Sequence, residues 1–244
     1  MPEILNTVTI GRRLYPPERV AWVYLTTPTH LRRLAEKYAF KTVGQTVGQA
    51  EGLFPNVMPL QATGGEFSDG VGEPHPIPQL IIEPNVVQCQ IAGDTLTAIR
   101  FMDALERYFD ELNPTAAKDV QPYKQTFQTI MVAKLSVPFE AMFSAPMLRF
   151  LSEYVGPQLN ISEATARMRL QTLNWNVTYQ MESSDYFLIP KLITIEPRVG
   201  SKLAENVYYT ESPLDSDAHI RLLEQFEKEM TAQRTSFLSS PEDP

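Results

Sequence analysis

The stretch PQLIIEPNVVQCQIAGDTLTAIRFMDALERYFDEL, residues 78–112, constrains the fold more than any other part of the chain. Two strand-like apolar runs flank Pro84-Asn85, a turn-forming dipeptide, so residues 78–93 predict a hairpin. The period then changes from 2 to 3.6. Leu96, Ile99, Met102, Leu105, Phe109 and Leu112 recur on one side of a helix that Asp94 or Thr95 can cap and Asn113-Pro114 stops. Asp103 stands four residues before Arg107, the spacing of an ion pair along a helix. A hairpin followed at once by an amphipathic helix buries the helical stripe against a sheet, so the chain reads as α+β, an antiparallel sheet with helices packed mainly on one face.

Elsewhere the signals vary in strength. RVAWVYLTT, residues 19–27, suits a buried strand, with a helix directly after it. Thr27 can cap that helix and Pro28 can open it, while Leu31, Leu34, Ala35 and Tyr38 form its apolar side. Residues 41–79 are rich in glycine and proline and hold a TVGQ echo, which predicts long loops or loosely formed edge strands around NVMPLQA. Further on, 125–137 reads as a strand, 139–156 as a helix in two pieces, and 168–181 with 185–198 as a long hairpin. NVYYT adds an edge strand, a helix runs from Ser216 to Leu238, and residues 239–244 are expected to be a disordered tail.

Residues 1–114 and 115–238 can each be written as a β-α-β-β-α half of one compact domain, with the 41–79 loop region inside the first half. That element order is similar to the duplicated, curved antiparallel sheet of TATA-box-binding-protein-like folds. The likeness is one of architecture, rests on no motif, and carries no function. A saddle of that kind on DNA needs a basic concave face with intercalating aromatics, and a formal charge of −8 with a pI near 5.0 argues against it.

Cys89 is the single cysteine, which rules out an intrachain disulfide and a cysteine-rich zinc site. Its alternating surroundings make it a small core residue. The N-terminus lacks a signal-peptide pattern, and no apolar run approaches the roughly 20 residues of a membrane span. A soluble, cytoplasmic protein is the expectation. No G-x-S-x-G, H-E-x-x-H or P-loop motif occurs.

Three groups of residues could carry chemistry. Glu66, Asp69, Glu73 and His75 set three carboxylates and an imidazole in one glycine- and proline-rich stretch, a donor set suited to a divalent cation. The offsets are not those of an EF-hand, and the plainer reading is a solvated loop held extended by Pro74, Pro76 and Pro78. His219 falls on the apolar arc of Leu222, Leu223, Phe226 and Met230, which favours a half-buried core histidine over a catalytic base. Trp175, Tyr179 and Arg198 could form a ligand or partner surface, the aromatics on one face of a strand. The expected function is a non-enzymatic binding or interaction module, its partner another protein or a second copy of the chain. No cofactor is expected. An enzyme with a carboxylate and histidine site assembled in space, metal-dependent or not, stands second, and a saddle-type nucleic-acid binder third.

Overall fold

A computed structural model describes residues 1–16, 19–20, 22–45, 58–70, 72–113, 121–138, 173–177 and 191–238. The fold is α+β, with antiparallel strands and, among the described residues, four α-helices. The chain divides into two compact units. The larger holds Thr7–Ile130 and Pro213–Ser216, the smaller Met1–Asn6, Met131–Ser212 and Asp217–Pro244.

The larger unit contains β1 (Glu3–Leu14) from Thr7 onward, then α1 (Trp22–Leu25), α2 (Pro28–Lys37), β2 (Thr42–Gln45), β3 (Leu60–Phe67), β4 (His75–Ile82), β5 (Val86–Ala92), α3 (Thr95–Leu112) and the first part of β6 (Lys124–Lys134). Its strands lie in the order β2-β3-β4-β5-β1-β6. The β4–β5 hairpin forms around Pro84-Asn85, with Ile82 opposite Val87. The segment read as long loops or loosely formed edge strands holds β2, β3 and the start of β4, with Thr42 opposite Thr63 and Phe67 opposite His75.

Two local readings are overturned here. Residues 22–25 form a helical turn, not a strand: Thr26 N–H donates to the Trp22 carbonyl at 3.2 Å. Leu25 is buried while Val23 and Tyr24 are exposed, so burial does not alternate. A short apolar run fits a strand and a buried helical turn equally well, and period alone cannot separate them. Thr27 stands at the start of α2, yet its hydroxyl donates back to the Tyr24 carbonyl at 2.9 Å and makes no cap. Asp94 does cap α3, its carboxylate accepting from Thr97 N–H at 2.8 Å.

The apolar face of α3 is also turned from the expected stripe. Ala98, Phe101, Met102, Leu105, Tyr108 and Phe109 are buried, whereas Leu96 is 51% exposed. Phe101 is the pivot, meeting Tyr38 edge-on at 5.3 Å and Phe67 at 5.4 Å between ring centroids. Such edge-to-face pairs add about 0.5–1.5 kcal/mol each beyond the area they bury. Met102 lies over Gly11 of β1, where a Cβ would approach its methyl to 2.7 Å.

In the smaller unit the strands lie in the order β6-β9-β8-β7, with β7 (Leu173–Val177), β8 (Lys191–Pro197) and β9 (Val207–Ser212). Leu173 pairs with Ile195, and Thr194 with Glu211. β9 is therefore an interior strand between β6 and β8, not the edge strand that NVYYT suggested, because pairing on both sides is fixed by distant strands that local sequence does not show. Tyr208 on it is fully buried, its hydroxyl donating to the Val137 carbonyl at 2.8 Å. The core gathers Met131, Ala133, Leu135, Ile195, Tyr208 and Leu223, the last from α4 (Ser216–Leu238). The helix expected at 139–156 and the tail at 239–244 lie outside the described residues.

Candidate functional site

Helix α3 organises the charged chemistry of the larger unit. Asp103, Glu106 and Asp110 recur at spacings of three and four, which sets them along one flank of the helix. That flank meets two buried arginines. Arg13 of β1 places Nη2 at 2.7 Å from Asp103 and Nη1 at 2.7 Å from Glu106, and its Nε donates to Gln125 of β6 at 2.9 Å. Arg19 places Nη1 at 2.6 Å from Asp110, and Nη2 lies 3.9 Å from Glu106. The Tyr15 hydroxyl donates at 2.6 Å to Glu106 Oε1, the oxygen that also meets Arg13. Burial opposes the charge on Arg13, but the bond to Asp103 and the anions around it keep its pKa above the ordinary value. Tyr15 is held neutral, its pKa raised by burial and by Glu106.

This cluster redirects the pair read from sequence. Asp103 does not bridge to Arg107 along the helix; it turns to the buried Arg13. A desolvated guanidinium left without an anion costs far more than an exposed one, so Arg13 takes the carboxylate. Arg107 is left exposed on α3, with no ion pair among the described residues.

Arg107 faces a hollow of about 500 Å³ lined by Phe67, Ser68, Asp69, Arg100, Asp103, Ala104 and Arg107. A second hollow of about 380 Å³ shares Phe67, Ser68 and Ala104 and extends to Glu36, Lys37, Tyr38, Ala39, Glu66 and Pro74. Together they make a groove between α3, the end of α2 and the β3–β4 turn. Its geometry depends on Gly65, where a Cβ would come within 2.8 Å of the Tyr38 carbonyl that accepts from Glu66 N–H at 2.7 Å. Charge is distributed unevenly along the groove. Arg100 is held by Asp69 at 2.5 Å, Asp103 by Arg13, and Lys37 by Glu111 at 3.3 Å. Arg107 at one end, and Glu36 and Glu66 at the other, have no ion pair among the described residues.

The sequence candidates are scattered. Glu66 is on β3 and His75 opens β4, opposite Phe67, its Nδ1 3.1 Å from the Ala92 carbonyl. Asp69 is committed to Arg100, and Glu73 is exposed in the turn. Among the described residues no three His, Cys, Asp or Glu side chains come together in a way that could hold a metal ion. His219 is in the smaller unit and only 1% exposed, more buried than its helical position suggested. Trp175 belongs to β7 and Arg198 is exposed just beyond β8, its N–H donating to the Val207 carbonyl at 2.9 Å. Tyr179 lies outside the described residues. Cys89 is fully buried, and burial pushes its thiol up to about 12.

Sequence reasoning missed Arg13, Arg19 and Ser68. The one available signal was Glu106, which has no basic residue three or four positions away within α3. Among the described residues no helix is long and apolar enough to cross a membrane. Comparison of the chain with protein-family models, with curated proteins and with solved structures finds no match.

Proposed function

We propose that the protein is a cytoplasmic, non-enzymatic binding module and that the groove between α3, α2 and the β3–β4 turn is its contact surface. The observation that carries this reading is a concave surface with a cation, Arg107, released by the pairing of Asp103 to Arg13. Such a hollow, part apolar and part charged, suits recognition. Among the described residues, several groups that catalysis could draw on are engaged otherwise. Glu106 and Asp110 neutralise buried arginines, and a thiol pushed to about 12 is no nucleophile near neutral pH. The partner is a protein, either a second copy of this chain or a different one, in keeping with the acidic net charge of −8 that disfavours nucleic acid.

A photo-crosslinking amino acid at Ser68, exposed at the centre of the groove, tests the reading. Irradiation in cells is expected to give one discrete adduct, which mass spectrometry identifies as the same chain or another. The reading fails if the adducts match those from the same probe at Val199, an exposed residue of the smaller unit, or if no adduct forms.

A further inference from the structure

The polarity of the groove specifies more than a contact surface. Among the described residues seven charged side chains line its two hollows, and four of them are already paired: Arg100 with Asp69, Asp103 with Arg13, and Lys37 with Glu111. What remains is one cation, Arg107, in the first hollow, and two anions, Glu36 and Glu66, in the second. Between them lie Phe67, Ser68 and Ala104, common to both hollows. Resting on the binding-module reading, we propose that the groove takes a mixed-charge peptide segment of a partner protein. A carboxylate of that segment meets Arg107, an ammonium or guanidinium meets Glu36 and Glu66, and a small apolar side chain sits over Ala104.

Complementarity selects this occupant over others. A nucleic-acid strand repeats a negative charge at every link and would bring phosphates against Glu36 and Glu66. A purely basic peptide would set a like charge against Arg107. A segment with both signs satisfies each end, and a guanidinium at Arg107 can hold a carboxylate through two parallel hydrogen bonds. Arg100 adds a second cation that is only half committed. It is 50% exposed, so its remaining N–H groups are open to solvent beyond the bond to Asp69.

The test is an NMR titration of the full chain with capped pentapeptides on one alanine backbone. One set has glutamate and lysine at opposite ends in either order, one has glutamate alone, and one has lysine alone. The mixed-charge peptide is expected to shift the amides of Lys37, Ser68, Ala104 and Arg107 and to bind at least about fivefold tighter than either single-sign peptide, about 1 kcal/mol. Arg107→Ala is expected to lower its affinity to that of the lysine peptide. Glu36→Gln with Glu66→Gln is expected to lower it to that of the glutamate peptide. If the glutamate peptide binds as tightly as the mixed one, the groove is an anion site; the mixed-charge inference is then overturned while the binding module stands. If no peptide shifts these amides, the groove is not a binding surface and both readings fall.

Discussion

Helix α3 presents arginine chemistry on two flanks, and the contrast between them separates architecture from function. On one flank Asp103, Glu106 and Asp110 close on Arg13 and Arg19, whose side chains are 6% and 3% exposed. On the adjoining flank, which shares Asp103 at the hollow, the helix itself supplies the arginines, Arg100 and Arg107, and both are exposed. Where water is excluded, each guanidinium is tied to carboxylates, because an unpaired charge there is not tolerated. Where water remains, pairing is optional, and Arg107 goes without it. The same residue type is thus a neutralised structural bolt in one place and an exposed side chain in the other.

The largest effect that could break this comparison is expected at Glu106. Its carboxylate meets Arg13 and the Tyr15 hydroxyl directly and lies 3.9 Å from Arg19, so Glu106→Ala leaves Arg13 to Asp103 alone, Arg19 to Asp110 alone, and the Tyr15 hydroxyl without its acceptor. A loss of about 2–4 kcal/mol in urea unfolding is expected. A loss below about 1 kcal/mol would place this flank with the exposed one and remove the distinction.

Alkaline pH sharpens the same contrast. The Tyr15 pKa in the folded protein lies above its ordinary 10.0, and the Cys89 thiol is pushed from 9.0 to about 12. Both groups hold their proton more tightly folded than unfolded. Their contribution to stability is whole below the unfolded pKa and is lost as pH rises toward the folded one. Urea midpoints should therefore hold up to about pH 9 and then fall, each ionising group adding a slope that approaches about 1.4 kcal/mol per pH unit. Tyr15→Phe and Cys89→Ala should each reduce that slope. Arg100→Ala, on the exposed flank, should leave it unchanged.

Much of this arrangement was readable in the chain, and the unreadable part has a physical cause. The β4–β5 hairpin, the Asp94 cap and the long α4 carry strong local signals, because turn chemistry and period act within a few residues. β1 carries a misleading one: its β-branched alternation TVTI points Val8 and Ile10 inward, yet the residues it buries are Thr9, Gly11 and Arg13, while Val8 and Ile10 on its other side are only half-buried. Its inward pattern looks polar, since the inward face holds the arginine that α3 needs and the glycine that lets Met102 approach. The groove was hidden for a related reason. The i,i+4 spacing of Asp103 and Arg107 is a local pair, and only a residue 90 positions away decides that it does not form. Within the stretch 64–76, Ser68 and Asp69 line the hollow beside Arg100, Asp103 and Arg107 of α3, side chains that local sequence does not link to them.

A smaller effect is expected at Asp69, the partner of Arg100. Asp69 is mostly shielded while Arg100 is half exposed, so Asp69→Asn removes an ion pair that water already screens. A change of about 0–1 kcal/mol is expected, shrinking further as salt is added. The second reading of that variant is binding. With Arg100 released, the groove holds two available guanidiniums, so a glutamate-bearing peptide should bind more tightly than to the unaltered protein. A loss of stability near that of Glu106→Ala would mean that Arg100 belongs with the buried pair.

The smallest stability effect and the clearest functional one are expected to coincide at Arg107. Its side chain is exposed and has no ion pair among the described residues, so Arg107→Ala should change unfolding free energy by no more than about 0.5 kcal/mol. The same substitution is expected to remove the carboxylate-directed part of binding in the groove, about tenfold in dissociation constant or about 1.4 kcal/mol. Arg107→Lys should restore only part of it, because an ammonium keeps the charge and loses the two-point hydrogen bonding. A residue whose removal weakened folding and binding together would be part of the scaffold that shapes the groove. A residue whose removal costs binding alone is one the fold has left free for a ligand, and the diversion of Asp103 to Arg13 is what leaves it so.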